Sequence, residues 1–498
     1  MKYIHLFKTN SEFTTAYNGP DYIEPWLSLT EETMTIGTSK PKLTAITFGS
    51  ITWVTDVPAT GGTATKDNCK FEIYGNYEDG TSANISSIVT VTGELAVESS
   101  TVDQRREVGE LTLTASYRGL TATGNVTAYQ EAVPDFSTKP LTFNILSAGT
   151  INWTASKTAI TKTIEYKLNN GEWTSITSNT GSSAPSIEVN SGDKLQFRGN
   201  NEQYATSFPV YNSFGGSTAS FEAEGNIMSL IYGDEFKNKL TISSAYTFTG
   251  LFRDCVNLVS AENLILPATT LATGCYLSMF RDCTKLTTVP ELPATTLAQN
   301  CYSSMFKGCT SLTTSPKLPA TTLADSCYAF IFWDCTSLTT APELPATTLA
   351  DSCYNGMFDN CTSLTTVPSN LLPATTLAYY CYQAMFADCT SLTTSPKLPA
   401  TTLAKKCYEN MFKGCTSLTT APTLPATTLV DSCYGNMFDG CTSLNYIKCL
   451  ATDISANFCT DTWVNGVAST GTFVKKSNMT SWPTGPYGIP KGWTVQNA

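Results

Sequence analysis

Apolar residues repeat along the second half of the chain with a period of 26 residues. The string Leu-Pro-Ala-Thr-Thr starts at Leu266, Leu292, Leu318, Leu344, Leu372, Leu398 and Leu424, so the spacing is 26 residues except for one of 28. Every copy continues into Cys-Tyr, two variable residues, Met-Phe (Ile331-Phe332 in one copy), two more variable residues and a second Cys. A strict period of this length is typical of repeat architectures, in which each unit packs on its neighbours.

Within one repeat, the apolar positions fit one face of a short helix. In the first complete copy they are Ala272, Cys275, Tyr276, Met279, Phe280 and Cys283, at i, i+3, i+4, i+7, i+8 and i+11. Leu286, Val289 and Leu292 follow, separated by Thr and Pro, which predicts a short extended segment and a turn. About nine such units should stack at roughly 5 Å per coil as an α/β solenoid. The two extra residues near Ser369 and Asn370 should form a loop that leaves the stack intact.

The repeats resemble the BspA-like leucine-rich repeats of bacterial surface proteins. The resemblance rests on the string Met-Phe-x-x-Cys-Thr-Ser-Leu-Thr-Thr at 26-residue spacing, and it covers about residues 226–460. It implies a leucine-rich-repeat fold and an adhesive or recognition role.

Two segments ahead of the repeats show the alternating pattern of β-strands. Residues 41–132 alternate in 70–74 and in 111–115, between turn signals such as Asp79-Gly80, and predict a β-sandwich. Residues 134–225 carry an Asn170-Gly171 hairpin signal and predict a second β-sandwich that docks on the first coil.

The first predicted β-sandwich and the C-terminal residues each carry a further signal. Within 41–132, the string Leu-Thr-Leu-Thr-Ala-Ser-Tyr-Arg-Gly resembles a bacterial immunoglobulin-like module, which implies a spacer role. Residues 461–498 contain several Trp, Gly and Pro residues and should cap the far end of the solenoid, since an open end exposes core.

Residues 1–40 form an aromatic-rich arm. Its aromatics include Phe7, Phe13, Tyr17, Tyr22 and Trp26. A segment this short cannot build its own core, so it should either pack on the first sandwich or anchor the protein in a larger assembly.

The arm also resembles N-terminal segments of structural proteins from tailed phages of gut anaerobes, including crAss-like phages. This resemblance implies that the arm binds other virion structural proteins. The first residues lack the continuous apolar stretch of a secretory signal, which agrees with folding in a host cytoplasm and release by lysis.

Composition argues against several functional classes. The chain has 498 residues, with 30 basic and 41 acidic side chains, and its net charge of -11 argues against nucleic acid as a partner. A single histidine, His5, argues against a histidine-based triad or metal site. No nucleotide-binding, hydrolase, zinc-protease or EF-hand motif occurs, and no run of about 18 apolar residues predicts a membrane span. We therefore expect no catalytic residues, no metal and no cofactor.

The cysteines should be buried and reduced. Of the 18 cysteines, only Cys69 lies outside the repeat region. Cysteines eight residues apart on a helix lie about 12 Å apart, beyond the roughly 7 Å that a disulfide spans between Cα atoms. The spacing is not that of a zinc site either. The repeats therefore predict a ladder of small buried thiols.

Positions that vary between the copies should face solvent and can carry binding. Most hold small or polar residues, but four hold the aromatics Phe330, Trp333, Tyr379 and Tyr380. On a helix, Phe330, Trp333 and Tyr380 would share one outer stripe. Neighbouring exposed aromatics often mark contact surfaces. The alternative is that they are isolated surface residues without a role.

Together these patterns predict a mainly β protein with short helices: an arm, two immunoglobulin-like β-sandwiches, and a leucine-rich-repeat solenoid with a C-terminal cap. The predicted function is that of a non-enzymatic phage virion surface protein, either a head fibre or decoration protein or a tail-associated fibre. The arm would anchor it, and the solenoid would bind a host surface protein or glycan, in a monomer or homo-oligomer. The first alternative is a bacterial cell-surface BspA-like adhesin. The second, a glycan-cleaving enzyme, is disfavoured by the missing motifs.

Overall fold

A computed structural model divides the chain into two compact units, Met1–Asp135 and Phe136–Ala498. The residues that it describes are 42–57, 62–97, 106–130, 136–156 and 160–498. The predicted arm, with Phe7, Phe13, Tyr17, Tyr22 and Trp26, lies outside the described residues. Within the described ranges the protein is mainly β, as expected, and the one α-helix is α1 (Ser229–Tyr232), a single turn.

The first unit consists of antiparallel sheets around one core. Its described strands are β1 (Leu43–Trp53), β2 (Gly62–Thr65), β3 (Cys69–Tyr77), β4 (Ser82–Asn84), β5 (Thr90–Thr92), β6 (Glu94–Val97), β7 (Arg106–Tyr117) and β8 (Leu120–Gln130). The strand orders are β1-β3-β4, β2-β6 and β5-β7-β8. Short 3-10 turns cover Lys66–Asn68 and Ser86–Ile88.

Alternation decides which face of each strand is buried. Leu111, Leu113 and Ala115 of β7 have no exposed surface, while Thr112 between them is exposed. Ile73 of β3 is equally buried. Because successive side chains of a strand point to opposite faces, every second residue contributes to the core. The alternating patterns in 70–74 and 111–115 are therefore confirmed, and the immunoglobulin-like assignment stays a prediction.

The second unit begins with another β-rich segment. Its strands are β9 (Leu141–Ile145), β10 (Gly149–Asn152), β11 (Thr154–Ala155), β12 (Thr163–Leu168), β13 (Thr174–Thr177), β14 (Ser186–Val189), β15 (Lys194–Arg198), β16 (Ala205–Ser207), β17 (Val210–Ser213) and β18 (Phe221–Asn226). Short 3-10 turns cover Phe136–Thr138, Gly181–Ser183 and Gly233–Glu235. Strands β12 and β13 form the hairpin predicted at Asn170-Gly171, where the amide of Gly171 donates to the carbonyl of Leu168 at 2.9 Å.

Strand β18 joins this segment to the repeats. The main sheet has the order β13-β12-β15-β9-β18 and then β19 (Leu258–Ser260), and β18 runs antiparallel to β9. The same strand runs parallel to β19 and to β20 (Leu264–Ile265), which follow the first run of turns. The buried side chains from Leu141 to Trp493 consequently belong to one continuous core.

The repeats form nine coils, which we number by the residue at the first-cysteine position. These residues are Thr247, Cys275, Cys301, Cys327, Cys353, Cys381, Cys407, Cys433 and Cys459. Each coil contains a run of tight turns and no α-helix, so the predicted short helices are wrong. In coil two the amides of Cys275 and Met279 donate to carbonyls three residues earlier, whereas those of Tyr276 and Phe280 donate to coil three. Half of the amides therefore close turns, and the other half bind the next coil.

Left-handed residues at every fourth position prevent a helix. In coil two, Gly274, Ser278 and Asp282 have φ values of 60°, 53° and 62°, and only Gly, Asn, Asp and a few other residues adopt this conformation at low cost. The residues before the second-cysteine position fit this requirement in all coils: Asp254, Asp282, Gly308, Asp334, Asn360, Asp388, Gly414, Gly440 and Gly466. In this run of turns, two side chains of every four point into the core and two point outward. The buried side chains therefore have the same spacing, i, i+3, i+4 and i+7, as those of a helix. The sequence pattern alone therefore could not separate the two structures.

Aromatic rings stack along the core of the coils. One stack contains Tyr276, Tyr302, Tyr328, Tyr354, Tyr382, Tyr408 and Tyr434, with ring centroids 5.7–6.0 Å apart. A second runs through the phenylalanines from Phe252 to Phe438 at 5.2–5.9 Å. Both stacks pass the insertion at Ser369 and Asn370 without a break, and the insertion forms a turn. The expected loop that leaves the stack intact is confirmed.

The cysteines are part of this core. All 18 are free thiols, and all except the half-buried Cys69 are buried. The second cysteine of coils two to eight donates its thiol to the carbonyl of the phenylalanine in the preceding coil, with Sγ–O distances of 2.9–3.2 Å. Burial raises the pKa of the Cys275 thiol to about 12. Because the thiolate is the reactive form, such cysteines are chemically inert.

We expect that a reducing agent leaves the melting temperature of the protein unchanged. Free, buried thiols contribute by packing and by one weak hydrogen bond each, and neither depends on a reductant. The check is a thermal melt with and without a thiol reductant, on protein purified under non-reducing conditions. A fall of several degrees would instead indicate disulfides, each of which typically contributes about 2–4 kcal/mol.

Indole rings close the C-terminal end of the stack. Trp463 is fully buried and stacks on Tyr434 and on Trp482, with centroids 6.1 and 5.7 Å away. Its Nε1 donates to the carbonyl of Gly488 at 2.9 Å. Beside it lies a parallel sheet of β21 (Tyr446–Lys448), β22 (Thr472–Lys475) and β23 (Thr494–Asn497). Residues after the last coil thus cover apolar surface that a further coil would otherwise bury.

Candidate functional site

Phe330 and Trp333 form an aromatic pair on the turn side of coil four. Their ring centroids are 5.3 Å apart, and both side chains are partly exposed. Phe330 has a left-handed backbone, with φ at 58°. Its ring lies directly against Gly356, the residue at the same position of coil five, where any side chain would collide with it. The glycine of one coil therefore makes room for the aromatic ring of the coil before it.

A lysine lies on the face of Trp333. The Nζ atom of Lys307, from coil three, is 3.0 Å from the centroid of the indole ring. A cation at this position is attracted to the electron-rich ring face. Burial and the neighbouring Arg281 lower the pKa of Lys307, while Asp334 acts in the opposite direction. The pair thus combines two aromatic faces with one partly dehydrated ammonium group.

Tyr379 and Tyr380 form a second pair of the same kind in coil six. Their ring centroids are 3.9 Å apart in an edge-to-face arrangement, and 36% of Tyr379 is exposed. The Nζ atom of Lys406 is 5.3 Å from the Tyr380 ring and 3.3 Å from a carboxylate oxygen of Glu409. Again two aromatic rings lie beside one lysine of a neighbouring coil.

The four predicted residues therefore occur as two pairs, and the single helical stripe expected for Phe330, Trp333 and Tyr380 is wrong. The stripe assumed a helix, whereas Phe330 and Tyr380 occupy left-handed turn positions, with φ values of 58° and 55°. Coil five, with Cys353, separates the two pairs along the stack. What the pairs share is their chemistry and their place on the turn side of the coils.

A third aromatic pair was not predicted from the sequence, because it lies outside the repeats. Phe208 and Tyr211 stack with centroids 6.5 Å apart and an angle of 14° between planes. The Cζ atom of Arg253 is 5.5 Å from each ring. Tyr211 lies over Gly250, the coil-one residue at the repeat position of Phe330, where a Cβ atom would be 2.9 Å from the ring. The pair therefore extends the same side of the stack toward coil one.

Two further aromatics lie at the repeat position of Tyr380. Tyr246 in coil one and Phe458 in coil nine have φ values of 59° and 55°, and 71% of Phe458 is exposed. A comparison of the seven complete copies could not find them, because they belong to the degenerate copies at the ends. A signal was present, since both residues directly precede the first-cysteine position of their coils.

Backbone strain distinguishes Tyr246, Phe330, Tyr380 and Phe458 from ordinary surface aromatics. A left-handed conformation costs an ordinary residue roughly 1–2 kcal/mol, and for a bulky side chain it is an outlier. At the same two repeat positions other coils use small or flexible residues, for example Gly274, Asn300 and Ser304. Strained positions of this kind cluster at functional sites. We name the side of the stack that carries Phe208, Tyr211, Tyr246, Phe330, Trp333, Tyr379, Tyr380 and Phe458 the turn face.

A carboxyl group with a raised pKa lies on the turn face next to the coil-four pair. Asp359 occupies in coil five the position that Trp333 occupies in coil four. The pKa of Asp359 is raised to about 7, mainly by burial and also by the carboxylates of Asp388 and Asp334, while Lys307 acts in the opposite direction. Near neutral pH this group changes its charge, so the charge of the turn face is pH-dependent.

The described residues contain no group of three or more His, Cys, Asp or Glu side chains arranged to hold a metal ion. In the same ranges, no helix has the length and apolar character needed to cross a membrane. The aromatic rings and lysines of the turn face can stack on flat apolar groups and exchange hydrogen bonds and charge with a ligand.

Comparison with known families identifies the coils. A family model described as BspA type Leucine rich repeat region matches residues 249–393 and 378–470, in 6 copies. The repeat region is similar to leucine-rich repeats of the BspA type. The matched ranges contain the coil-four and coil-six pairs as well as Phe458, and the resemblance noted in the repeats is confirmed. No curated protein matches the chain.

Proposed function

We propose that the protein is a non-enzymatic surface-recognition protein that binds carbohydrate chains through the turn face. One observation carries the proposal: aromatic residues occupy strained, left-handed positions at which other coils hold small or flexible residues. Packing does not require aromatics there, since the stack continues through coils that lack them. A ligand that needs flat apolar surfaces supplies a reason for keeping them.

The surroundings of the aromatic pairs favour a glycan over a protein as the ligand. The pairs lie apart from one another among hydroxyl, amide and glycine residues such as Ser304, Gln383 and Asn410. A protein interface usually has a contiguous apolar centre, whereas coil five, which lies between the two pairs, holds Gly356 and Asp359 at the positions of Phe330 and Trp333. Sugars instead offer apolar ring faces for stacking and hydroxyl groups for polar partners. Separate aromatic pairs along the stack suit a chain of such units.

A binding comparison on a glycan array tests the proposal. The test variant replaces Phe330, Trp333, Tyr379 and Tyr380 by Ser, Ala, Gln and Asn, residues that other coils carry at these positions. We expect the natural protein to bind a subset of the glycans and the variant to lose at least about tenfold in affinity, since a few aromatic anchors commonly carry most of the binding energy. The melting temperature should not fall, because the replacements suit left-handed turns.

The matched control removes four exposed side chains from the extended side of coils three and four. It changes Thr313, Thr314, Thr339 and Thr340 to Ala, and it should bind like the natural protein. The proposal is wrong if the natural protein binds no glycan on the array, or if the aromatic variant binds as tightly as the control.

Such a protein can be located on the surface of a bacterial cell or of a virion, and the sequence supplies an argument for each location. A BspA-type repeat region fits a bacterial cell-surface adhesin. The virion proposal, a head fibre, decoration protein or tail-associated fibre, rests on the arm of residues 1–40 and stays a prediction.

If the protein is part of a virion, we expect mass spectrometry to detect the polypeptide in purified particles. A chain without residues 1–40 should fold but stay off the particle, and its normal incorporation would contradict the anchoring role.

A further inference from the structure

Five consecutive tyrosines of the stack have buried hydroxyl groups without a hydrogen-bond partner among the described residues. They are Tyr276, Tyr302, Tyr328, Tyr354 and Tyr382, in coils two to six. Each exposes at most 1% of its surface. Burial raises the pKa of these hydroxyls, so they stay protonated and can both donate and accept a hydrogen bond.

A row of unsatisfied hydroxyls is incompatible with a stable core. Each group loses its hydrogen bonds to water on folding and gains none in return. Five such losses would remove an amount comparable to the net stability of many domains. Proteins satisfy almost all of their buried polar groups, often with ordered water. The row therefore needs a partner that the described part of the chain does not supply.

The spacing of the row fits one water molecule between each neighbouring pair of hydroxyls. Neighbouring rings have centroids 5.7–6.0 Å apart and planes within 2–11° of each other. Because each ring nearly repeats the orientation of the one before, the hydroxyl oxygens lie about as far apart as the centroids. That distance is too long for a direct hydrogen bond, which spans about 2.5–3.0 Å between oxygens, and is about twice its length.

The neighbouring cysteines provide additional polar groups for water molecules in the row. Tyr302 interacts electrostatically with the thiols of Cys275 and Cys301, and Tyr354 does so with those of Cys327 and Cys353. A thiol is a weak donor and a weak acceptor. These thiols are the candidate third partners of a water between two tyrosine hydroxyls, since buried waters typically make about three hydrogen bonds.

We propose that coils two to six enclose a file of water molecules, one between each neighbouring pair of these tyrosine hydroxyls. Each water accepts a hydrogen bond from one tyrosine and donates one to the next. The file links the coils through the core, in parallel with the backbone hydrogen bonds between them. It also gives a physical reason why the copies in coils two to six hold tyrosine here, although phenylalanine would fill the stack equally well.

The sign of the change in melting temperature for Tyr328→Phe, measured on the full chain, tests this proposal. With water present, two molecules each lose a partner, and we expect the melting temperature to fall by a few degrees. In a dry core the substitution removes an unsatisfied hydroxyl, and the melting temperature would stay unchanged or rise, which would overturn the proposal. Tyr487→Phe is the matched control, since 54% of Tyr487 is exposed, and it should cause no shift.

Two double variants test whether neighbouring hydroxyls share a water. Tyr302→Phe combined with Tyr328→Phe affects one shared water, whereas Tyr276→Phe combined with Tyr382→Phe affects separate ones. We expect the neighbouring pair to be non-additive and the distant pair to be additive. A high-resolution crystal structure should show electron density for a water between each pair. Additive neighbours, or ordered tyrosines with no density between them, would contradict the file.

Discussion

Phe332→Ala should lower the free energy of unfolding by about 3–5 kcal/mol, which is the usual cost of removing a fully buried phenylalanine. Phe332 has no exposed surface, and its ring stacks on Phe306 and Phe358 at 5.9 and 5.8 Å. Its carbonyl also accepts the thiol of Cys361 at 3.2 Å. Because each coil contacts only its neighbours, a cavity in coil four weakens both interfaces of that coil. Denaturant unfolding of the full chain measures the effect.

Phe330→Ser is the matched control for this prediction. Phe330 lies only two residues away, but its ring is on the turn face and its backbone is left-handed. Serine holds the same conformation at the same position of coil three, in Ser304. We expect a change within about 0.5 kcal/mol, as for most surface substitutions. If Phe332→Ala costs no more than this control, the ring stack is not what holds the coils together.

Asp359→Asn should stabilise the protein by roughly 2 kcal/mol at pH 8 and have little effect at pH 4. The folded state raises the pKa of Asp359 from 3.8 to about 7, first through burial and then through Asp388 and Asp334. Between these two pH values the folded chain binds a proton that the unfolded chain has released. Stability therefore falls as the pH rises from about 4 to 7, and the full cost is present above 7. We expect less than the full value of the shift, because part of the side chain stays in contact with water.

Denaturant unfolding between pH 4 and pH 8 checks this prediction. Asp325→Asn is the control, since it changes the net charge by the same amount at an exposed carboxyl group. The difference between the natural chain and Asp359→Asn should grow with pH, while the control should run parallel to the natural chain. Equal pH profiles for all three chains would show that Asp359 titrates normally.

The sequence alone determined the features that depend on repetition and on local alternation. The 26-residue period predicted coils that bury Cys275, Tyr276 and Phe280 in equivalent places, and all three are fully buried. Alternation predicted the buried faces of the strands around Ile73 and Leu113. Each of these predictions depends only on which side chains are buried on folding, and the hydrophobicity of each residue type indicates that directly.

Variation between the copies also found half of the turn face. Phe330, Trp333, Tyr379 and Tyr380 stand out because the other copies hold small or polar residues there. The contacts that turn them into pairs, with Lys307 and Lys406 from neighbouring coils, were not predictable. They join residues 26 positions apart, and their geometry depends on how one coil lies on the next.

Only the tertiary structure decided between a helix and a run of turns. Both place apolar residues at i, i+3, i+4 and i+7, and they differ in where alternate amides find acceptors. In this protein the amide of Tyr276 binds Cys301 of the next coil instead of a carbonyl in its own turn. That choice exists only once a neighbouring coil is present to accept the hydrogen bond. Hydrogen bonding to the next coil creates the left-handed positions of Tyr246, Phe330 and Tyr380, and with them the turn face. The sequence of one repeat could not predict these positions, because backbone hydrogen bonding between coils is a property of the whole stack.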